Sequence, residues 1–469
     1  MESPPAQSPR VFVAGVLLPF TLYTSFFLPC SQGESGLQGC GWSEVPRILS
    51  QVKDPRIPHR DFPITDYGAV PGGTNDSDEA IRKSCEACSR EGGGRVVIPS
   101  GEFLSGPIRL GNNMELHLEK GALLKFSTDS RRYLPAVSTR FEGMDCFNYS
   151  PMILAERVTN VAVTGDGTID GQADESNWIG WKGRKGAQPG TQTEARRRLG
   201  RMNDEGVELE KRLFGEGDFL RPDFIAFYRC SNVLIDGVHL RRPPMWTIHP
   251  LLCTNVTIRG VDVLTHGANN DGCDPESCRN VLIEKCIFET GDDCIAIKSG
   301  RNNDGRRVKT PSESIIIRDC TMHDGHGGVT IGSEISGGCR GVYVEHCMMD
   351  SPNLACVLRI KSNAKRGGEI HDIFVRDISV GTVKDSALQI NFLYEEGAMG
   401  DYKPIAENIR MNAVTVSNTP RVVNVRGFPG AVISGIEIID STFKGITKPD
   451  VIVDANVQLT RCTIERQIQ

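Results

Sequence analysis

The sequence predicts an all-β fold, a right-handed parallel β-helix of the β-solenoid type. Three observations carry this expectation. First, nine segments of one style recur: N-V-L-I-D-G-V, N-V-T-I-R-G-V, N-V-L-I-E-K-C, S-I-I-I-R-D-C, G-V-Y-V-E-H-C, D-I-F-V-R-D-I, N-I-R-M-N-A-V, G-I-E-I-I-D-S and N-V-Q-L-T-R-C. They begin at Asn232, Asn255, Asn280, Ser314, Gly341, Asp372, Asn408, Gly435 and Asn456, with spacings of 23, 25, 34, 27, 31, 36, 27 and 21 residues. A variable repeat of about 25 residues suits one coil of a solenoid per repeat. Second, each segment alternates apolar and polar positions and runs into turn residues and a second short strand, which is the period of a half-buried strand. Third, Gly is abundant, at 50 of 469 residues, as a fold with many tight turns requires. Parallel strands would stack at roughly 4.8 Å, and the extra residues of the longer repeats would bulge out as loops over one face.

The elements follow in chain order. Residues 1–32 hold one cation, Arg10, ahead of an apolar run from Val11 to Cys30. This predicts a secretory signal peptide, with an uncleaved membrane anchor as the alternative. Either implies export, to an extracellular, periplasmic or cell-surface location. Residues 33–60 form a polar, Pro-bearing lead-in with no clear period, and residues 61–469 a single β-helix domain. Within it, Asp78–Arg90 reads as a helix capped by Asp76 or Ser77 and stopped by Gly92-Gly93-Gly94. The short strands R-V-V-I-P and E-L-H-L-E follow, then the block Val158–Gly171 in the same style. Residues 172–221 break the pattern with Trp178, Trp181 and the Arg-rich helical run E-A-R-R-R-L-G-R. This is a long excursion from the coil, either a solvated helix packed on one side or a wall of a site.

The chain has 16 Cys. In an exported protein that number suggests disulfides. The repeat gives a different reading for four of them. Its seventh position is Val238, Val261, Cys286, Cys320, Cys347, Ile378, Val414, Ser441 and Cys462. Cys alternating with Val and Ile marks a core site where the thiol serves as a small apolar group. Cys273 and Cys278, five apart in a turn, stay open as a pair. The net charge of −6 argues against a broad basic face for nucleic acid. An anionic ligand needs a local basic site, and Ala296–Thr310, with five cations against one acid, provides one.

Chemistry concentrates in Asn269–Arg307, which contains N-N-D-G-C-D-P-E-S-C and T-G-D-D-C-I-A-I-K-S-G-R-N-N-D-G-R-R. Used as a ruler, the repeat puts Asp292 12 residues past Asn280 and His326 12 past Ser314, at equivalent places on successive coils. Asp271 falls on the coil before, and Arg359 and Lys361 on the coil after. Carboxylates, a His and two cations on one strip can protonate a leaving group, activate water and hold a substrate carboxylate. Asp292 and Asp293 are adjacent, so both reach solvent only if the backbone bends beside Gly291. Each residue alone also has a plain structural reading: Asp in N-x-D-G as a turn former, His as a surface residue, R-x-K as a solvated strand face. Their coincidence on four coils favours the catalytic reading.

With those residues in place, the chain resembles the polygalacturonases of glycoside hydrolase family 28. The family pattern N-T-D, G-D-D, G-H-G and R-I-K is met by Asn269-Asn270-Asp271, Gly291-Asp292-Asp293, Gly325-His326-Gly327 and Arg359-Ile360-Lys361. Asn270 departs from the usual Thr. The resemblance implies a right-handed parallel β-helix that hydrolyses α-1,4-galacturonosyl bonds of a pectic polysaccharide or oligogalacturonate with inversion, with no metal and no cofactor. Carried over, Asp292 is the general acid, Asp271 and Asp293 hold and activate water, and His326 tunes the acid or shuttles a proton. Arg359 and Lys361 bind the sugar carboxylate, Tyr394 lies under the sugar, and Asn269 belongs with the substrate contacts. Ile331–Gly338 and the 172–221 excursion are similar to the exo-acting branch, in which enlarged loops close one end of the groove. Lys298, Arg301 and Arg306 are then expected to hold sugar carboxylates, and the enzyme to act as a monomer. An endo-polygalacturonase, a rhamnogalacturonan hydrolase, a Ca²⁺-dependent pectate lyase and an inactive pectin-binding solenoid are the alternatives.

Overall fold

In the computed structural model the nine repeats lie in register. Val233 pairs with Val256, Val256 with Val281, Val281 with Ile315, Ile315 with Val342, Val342 with Ile373, Ile373 with Ile409, Ile409 with Ile436 and Ile436 with Val457, all in parallel. These pairs reproduce the sequence offsets, so the unequal repeat lengths are absorbed between strands and never shift one. The result is a right-handed parallel β-helix. The structure describes residues 41–183 and 190–467, so the leader or anchor expected at 1–32 lies outside them. Among the described residues, no helix is long and apolar enough to cross a membrane.

Most coils contribute two strands to a continuous 23-stranded sheet, with Glu369–Thr382 and Ile405–Asn418 each running through as one long strand, and a third face is built from stacks of 4 and 6 strands. Turn chemistry holds the coils apart at constant register. The first residues of eight repeats, Asn232, Asn255, Asn280, Ser314, Gly341, Asp372, Asn408 and Gly435, have φ between 52° and 65°. Asn, Asp and Gly tolerate this left-handed conformation better than other residues do. The Asn amides then bond along the stack: Asn232 Nδ2 to Asn160 Oδ1 at 2.9 Å, Asn255 to Asn232 at 3.2 Å and Asn280 to Asn255 at 3.2 Å.

Inside the coil the seventh-position column is core, as expected. Cys286, Cys320 and Cys347 are buried with Val238, Val261 and Ile378. A second set of thiols, Cys230, Cys253, Cys278 and Cys339, lies two residues ahead of four of the repeat starts. Backbone N–H groups of Cys230 and Cys253 donate to the Sγ of Cys253 and Cys278, each at 3.4 Å, and Cys278 N–H to Ser312 Oγ at 3.3 Å. All 14 described cysteines are free thiols, Cys273 and Cys278 included. The disulfide expectation fails because these side chains stack along the coil as small apolar groups.

Three additions close the solenoid. Helix α1 (Val45–Gln51) lies in the stretch read as a polar lead-in with no clear period. Its Val45 and Ile48 cover Leu282, Ile316, Tyr343 and Phe374, which stack in register on four coils. Helix α1 therefore belongs to the same compact unit as the coil. Helix α2 (Asp78–Arg90) has the predicted bounds and buries Ile81, Cys85 and Cys88 over the first rung. Asp76 Oδ1 accepts from Asp78 N–H at 3.0 Å, while the Ser77 hydroxyl makes no cap bond. The excursion carries helix α3 (Thr193–Asp204). Its Ala195 and Leu199 pack with Phe141, Met144, Cys146, Leu220 and Trp246 in a second small core. Three of those belong to an antiparallel hairpin, Val137–Phe141 and Met144–Asn148, that the repeat pattern did not predict.

Candidate active site

The third face is thinnest where the chemistry lies. Between Leu251 and Ile295 its ladder shrinks to isolated bridges, Ile248 to Cys273 to Ile295 and Leu251 to Glu276 to Lys298. The turn across this break carries Asp271, Asp274 and Glu276. Asn270 pins it from within, accepting from Gly267 N–H at 2.8 Å and donating to the carbonyls of Pro243 and Met245 at 3.2 and 3.1 Å. Arg221, at the end of the excursion, braces it from outside. Its Nη1 donates to Ala268 O at 2.7 Å and its Nη2 to Asn269 Oδ1 at 2.8 Å. Behind the turn, Arg140 of the hairpin reaches Glu276 at 2.7 Å, and His249 sits between Asp223 at 2.7 Å and Glu276 at 3.0 Å. Burial would discharge His249, but the charges and hydrogen bonds of Asp223 and Glu276 win, and its pKa is pushed up to about 9.

Two glycines let consecutive coils approach. A Cβ at Gly291 would meet Gly267 O at 2.6 Å, and one at Gly325 (φ +80°) would meet Asp292 O at 2.1 Å. Backbone cannot yield at such distances, so His326 can stack on Asp292 only with glycine beside it. His326 Nδ1 is 2.9 Å from Asp292 Oδ1, as the repeat offset requires. Asp292 and Asp293 do not both face solvent: their side chains are 18% and 1% exposed. Asp293 turns inward and takes Lys361 Nζ at 2.8 Å, Thr330 Oγ1 at 2.8 Å and Arg359 Nη1 at 3.5 Å. Lys361 Nζ lies 5.4 Å from the centre of the Tyr394 ring. The structure thus brings Asp271, Asp292, Asp293, His326, Arg359, Lys361 and Tyr394 into one group, with Asn269 at its edge.

The cations of the 298–307 segment are placed differently from expectation. Lys298 is buried inside the carboxylate group, 3.5 Å from Asp271, 3.5 Å from Asp274 and 3.3 Å from Glu334, with its ammonium 4.3 Å from the centre of the Trp246 ring. Arg301 is held by Glu142 at 3.4 Å, Glu334 at 3.6 Å and Glu395 at 3.1 Å. Arg306, on helix α4 (Asn302–Val308), donates to Asn303 Oδ1 and to the carbonyls of Lys365 and Arg366 and covers the Tyr402 ring. Lys298 and Arg301 are thus matched by carboxylates of the protein, and Arg306 by carbonyls and a ring. The sequence showed the cations and the nearby Asp271 and Asp274, but not Glu142, Glu334 and Glu395, which lie further away along the chain.

Three carboxyls this close cannot all ionise freely. Burial and then the Asp292 charge push Asp271 up to about 7, against the pull of Lys298. Burial also opposes ionisation of Asp292, but the hydrogen bond and charge of His326 hold it below the usual carboxylate range. Asp293 is likewise kept low by Lys361 and Arg359 in spite of burial. His326 is raised, chiefly by its hydrogen bond to Asp292. The group titrates as a unit and retains a proton near neutral pH.

Among the described residues, two groups bring three potential metal-donor atoms within 4.8 Å of one another: His266, Glu289 and Asp324, and Asp292, Asp293 and His326. In the second, the Lys361 ammonium already occupies the cation position at Asp293. A cavity of about 1100 Å³ lies beside α2, far from this strip in sequence. Its Asp76 and Asp78 are both taken by Arg132, so it offers no free acid pair.

Comparison with known proteins gives a consistent picture. The profile described as glycosyl hydrolases family 28 matches residues 216–440. A probable polygalacturonase of Vitis vinifera is 28% identical over 81% of this chain and 73% of its own length. An exo-poly-α-D-galacturonosidase of Dickeya chrysanthemi is 24% identical over 90% of this chain and 70% of its own. The crystal structure of a hyperthermoactive exopolygalacturonase from Thermotoga maritima is 40% identical, covers 90% of this chain and 96% of that one, and superposes with a TM-score of 0.88.

Proposed function

The chain belongs to glycosyl hydrolases family 28, and on that premise we propose that it hydrolyses α-1,4-D-galacturonosyl bonds of polygalacturonate or pectin from a chain end, releasing galacturonate with inversion. The observation that carries this reading is the Asp292–His326 pair standing beside Asp293 and its two cations. Asp292 is the one carboxyl of the three with substantial solvent access, as a group that protonates a leaving oxygen needs. His326 supplies the proton: its Nδ1 is in hydrogen-bond contact with Asp292, and the pair together holds what Asp292 alone would lose. Asp271 and Asp293 hold the attacking water, with Asp271 as its base. Arg359 and Lys361 pair with the sugar carboxylate and Tyr394 supports the ring.

Donor atoms of Asp292 and Asp293 lie within 4.8 Å, closer than the roughly 6.5–9.5 Å usual for an inverting pair. Asp293 is nonetheless a poor nucleophile, because Lys361 and Thr330 engage one oxygen each. A water held between Asp271 and Asp293 is the better attacking group. The exo reading is supported by the 40% identical exopolygalacturonase and by the α3 excursion and hairpin packed at this end of the face. Its first thirty residues fit an exported enzyme acting on pectic substrate.

The test is a time course on polygalacturonic acid with the products resolved. Galacturonate from the outset, first seen as the β-anomer by NMR, is the expected result. A ladder of oligomers overturns the exo reading and leaves the family chemistry. An initial α-anomer overturns the single displacement. Turnover of rhamnogalacturonan alone replaces the substrate.

A further inference from the structure

The mechanism above uses neither Glu276 nor Asp274 of the catalytic turn; Glu276 is bonded to Arg140 and His249, which leaves Asp274. It is fully buried, and neither of its oxygens has a hydrogen-bond partner. Oδ1 of Asp271, three residues earlier on the same turn, is also without one. Among the described residues the one cation in ion-pair contact with both is Lys298, 3.5 Å from each and shared with Glu334. The charge of Asp223, committed to His249, also disfavours an ionised Asp274. One ammonium cannot neutralise two dry carboxylates, and an ionised, unbonded carboxylate at zero exposure is strongly disfavoured. A hydrogen between the two side chains satisfies both orphaned groups at once.

We propose that Asp274 is a positioning residue of the active site, a neutral carboxylic acid whose O–H donates to Asp271 and holds that side chain in place as the base for the attacking water. The proton stays on Asp274 through turnover, and no bond to Asp274 forms or breaks. The inference rests on Asp271 being the base. Burial and the Asp271 charge both favour a protonated Asp274, while Asp292 and Asp293 act on Asp271 directly. The arrangement leaves Asp271 aimed by a donor that carries no charge of its own, so it does not compete with Lys298.

Infrared difference spectroscopy tests the proton itself, at a pH above the value of about 7 for Asp271. Wild type should show one buried carboxylic C=O stretch that Asp274→Asn removes, with the near-ultraviolet dichroism unchanged. No such band in wild type, or a band that persists in Asp274→Asn, overturns the proposal whatever the activity. Kinetics then separate the role. Asp274→Asn keeps a neutral donor and should retain kcat within about tenfold. Asp274→Leu should lose about 10–100-fold in kcat, the worth of one hydrogen bond to a charged group, with little change in KM. Its acid limb should move up by about one pH unit. An unshifted limb in Asp274→Leu refutes the hydrogen bond. Full activity in Asp271→Asn refutes the base assignment and leaves the infrared result standing.

Discussion

The two sides of each coil follow opposite rules. On the side of the Asn column, like stacks on like: Asn160, Asn232, Asn255 and Asn280 repeat one conformation and one bond from rung to rung. On the side of the break, unlike stacks on unlike: His326 rests on Asp292, and the column of Thr330, Arg359 and Gln389 changes chemistry at every step. The first side distributes stability over interchangeable parts. The second places complementary charges on neighbouring coils, each at an address the first side fixes. Substitutions should therefore separate into those that cost turnover and those that cost stability.

The largest expected effect is at Asp292. Asp292→Asn should cut kcat by about 10²–10⁴-fold, the usual worth of a general acid, while thermal melting and oligogalacturonate binding hold; a coincident loss of fold would erase the separation. Lys361 is where the two sides meet. Lys361→Met leaves buried Asp293 with only Thr330 and the longer Arg359 contact, so urea unfolding should show a loss of about 3 kcal/mol together with a raised KM. A raised KM alone would mean that Asp293 finds another partner. Smaller is Asn255→Ala, which removes two column bonds and puts Ala in a left-handed conformation, for about 2 kcal/mol of stability. Its kcat/KM should match wild type, and Asn255→Gly, which relieves the backbone, should recover part of the loss. The smallest effect is the pH dependence of stability through His326. Its folded pKa is raised above 6.5, so its contribution is complete below 6.5 and fades as pH rises through the raised value. Melting temperature followed against pH should show that decline in wild type and not in His326→Gln.

The sequence made the repetitive side legible almost to the residue. The offsets from Asn232 to Asn456 became strand register, and the seventh-position thiols became core. It also predicted the Asp292–His326 contact, because two positions 12 past their repeat starts must lie on adjacent coils. What it missed has no period. Helix α1 and the 137–148 hairpin are single additions whose apolar faces match surfaces made by distant residues. Lys298 and Arg301 were visible as cations, but Glu142, Glu334 and Glu395 sit on other coils at no regular offset. Arg221 could have been noticed as a cation ending the excursion, though nothing local ties it to Ala268. Asp293 facing inward follows from the alternation of adjacent strand residues, the bend at Gly291 notwithstanding.

The thiol columns carry a consequence for where such a chain can mature. Cross-linked exported proteins depend on an oxidising compartment to reach their final form. Here the sulfur atoms are interior packing, and burial pushes Cys294 and Cys356 up to about 12, which leaves almost no thiolate to react. The coil asks nothing of the redox state around it. Among the described residues no disulfide has to form for the coil to close, and a thiol reductant should leave its melting temperature unchanged.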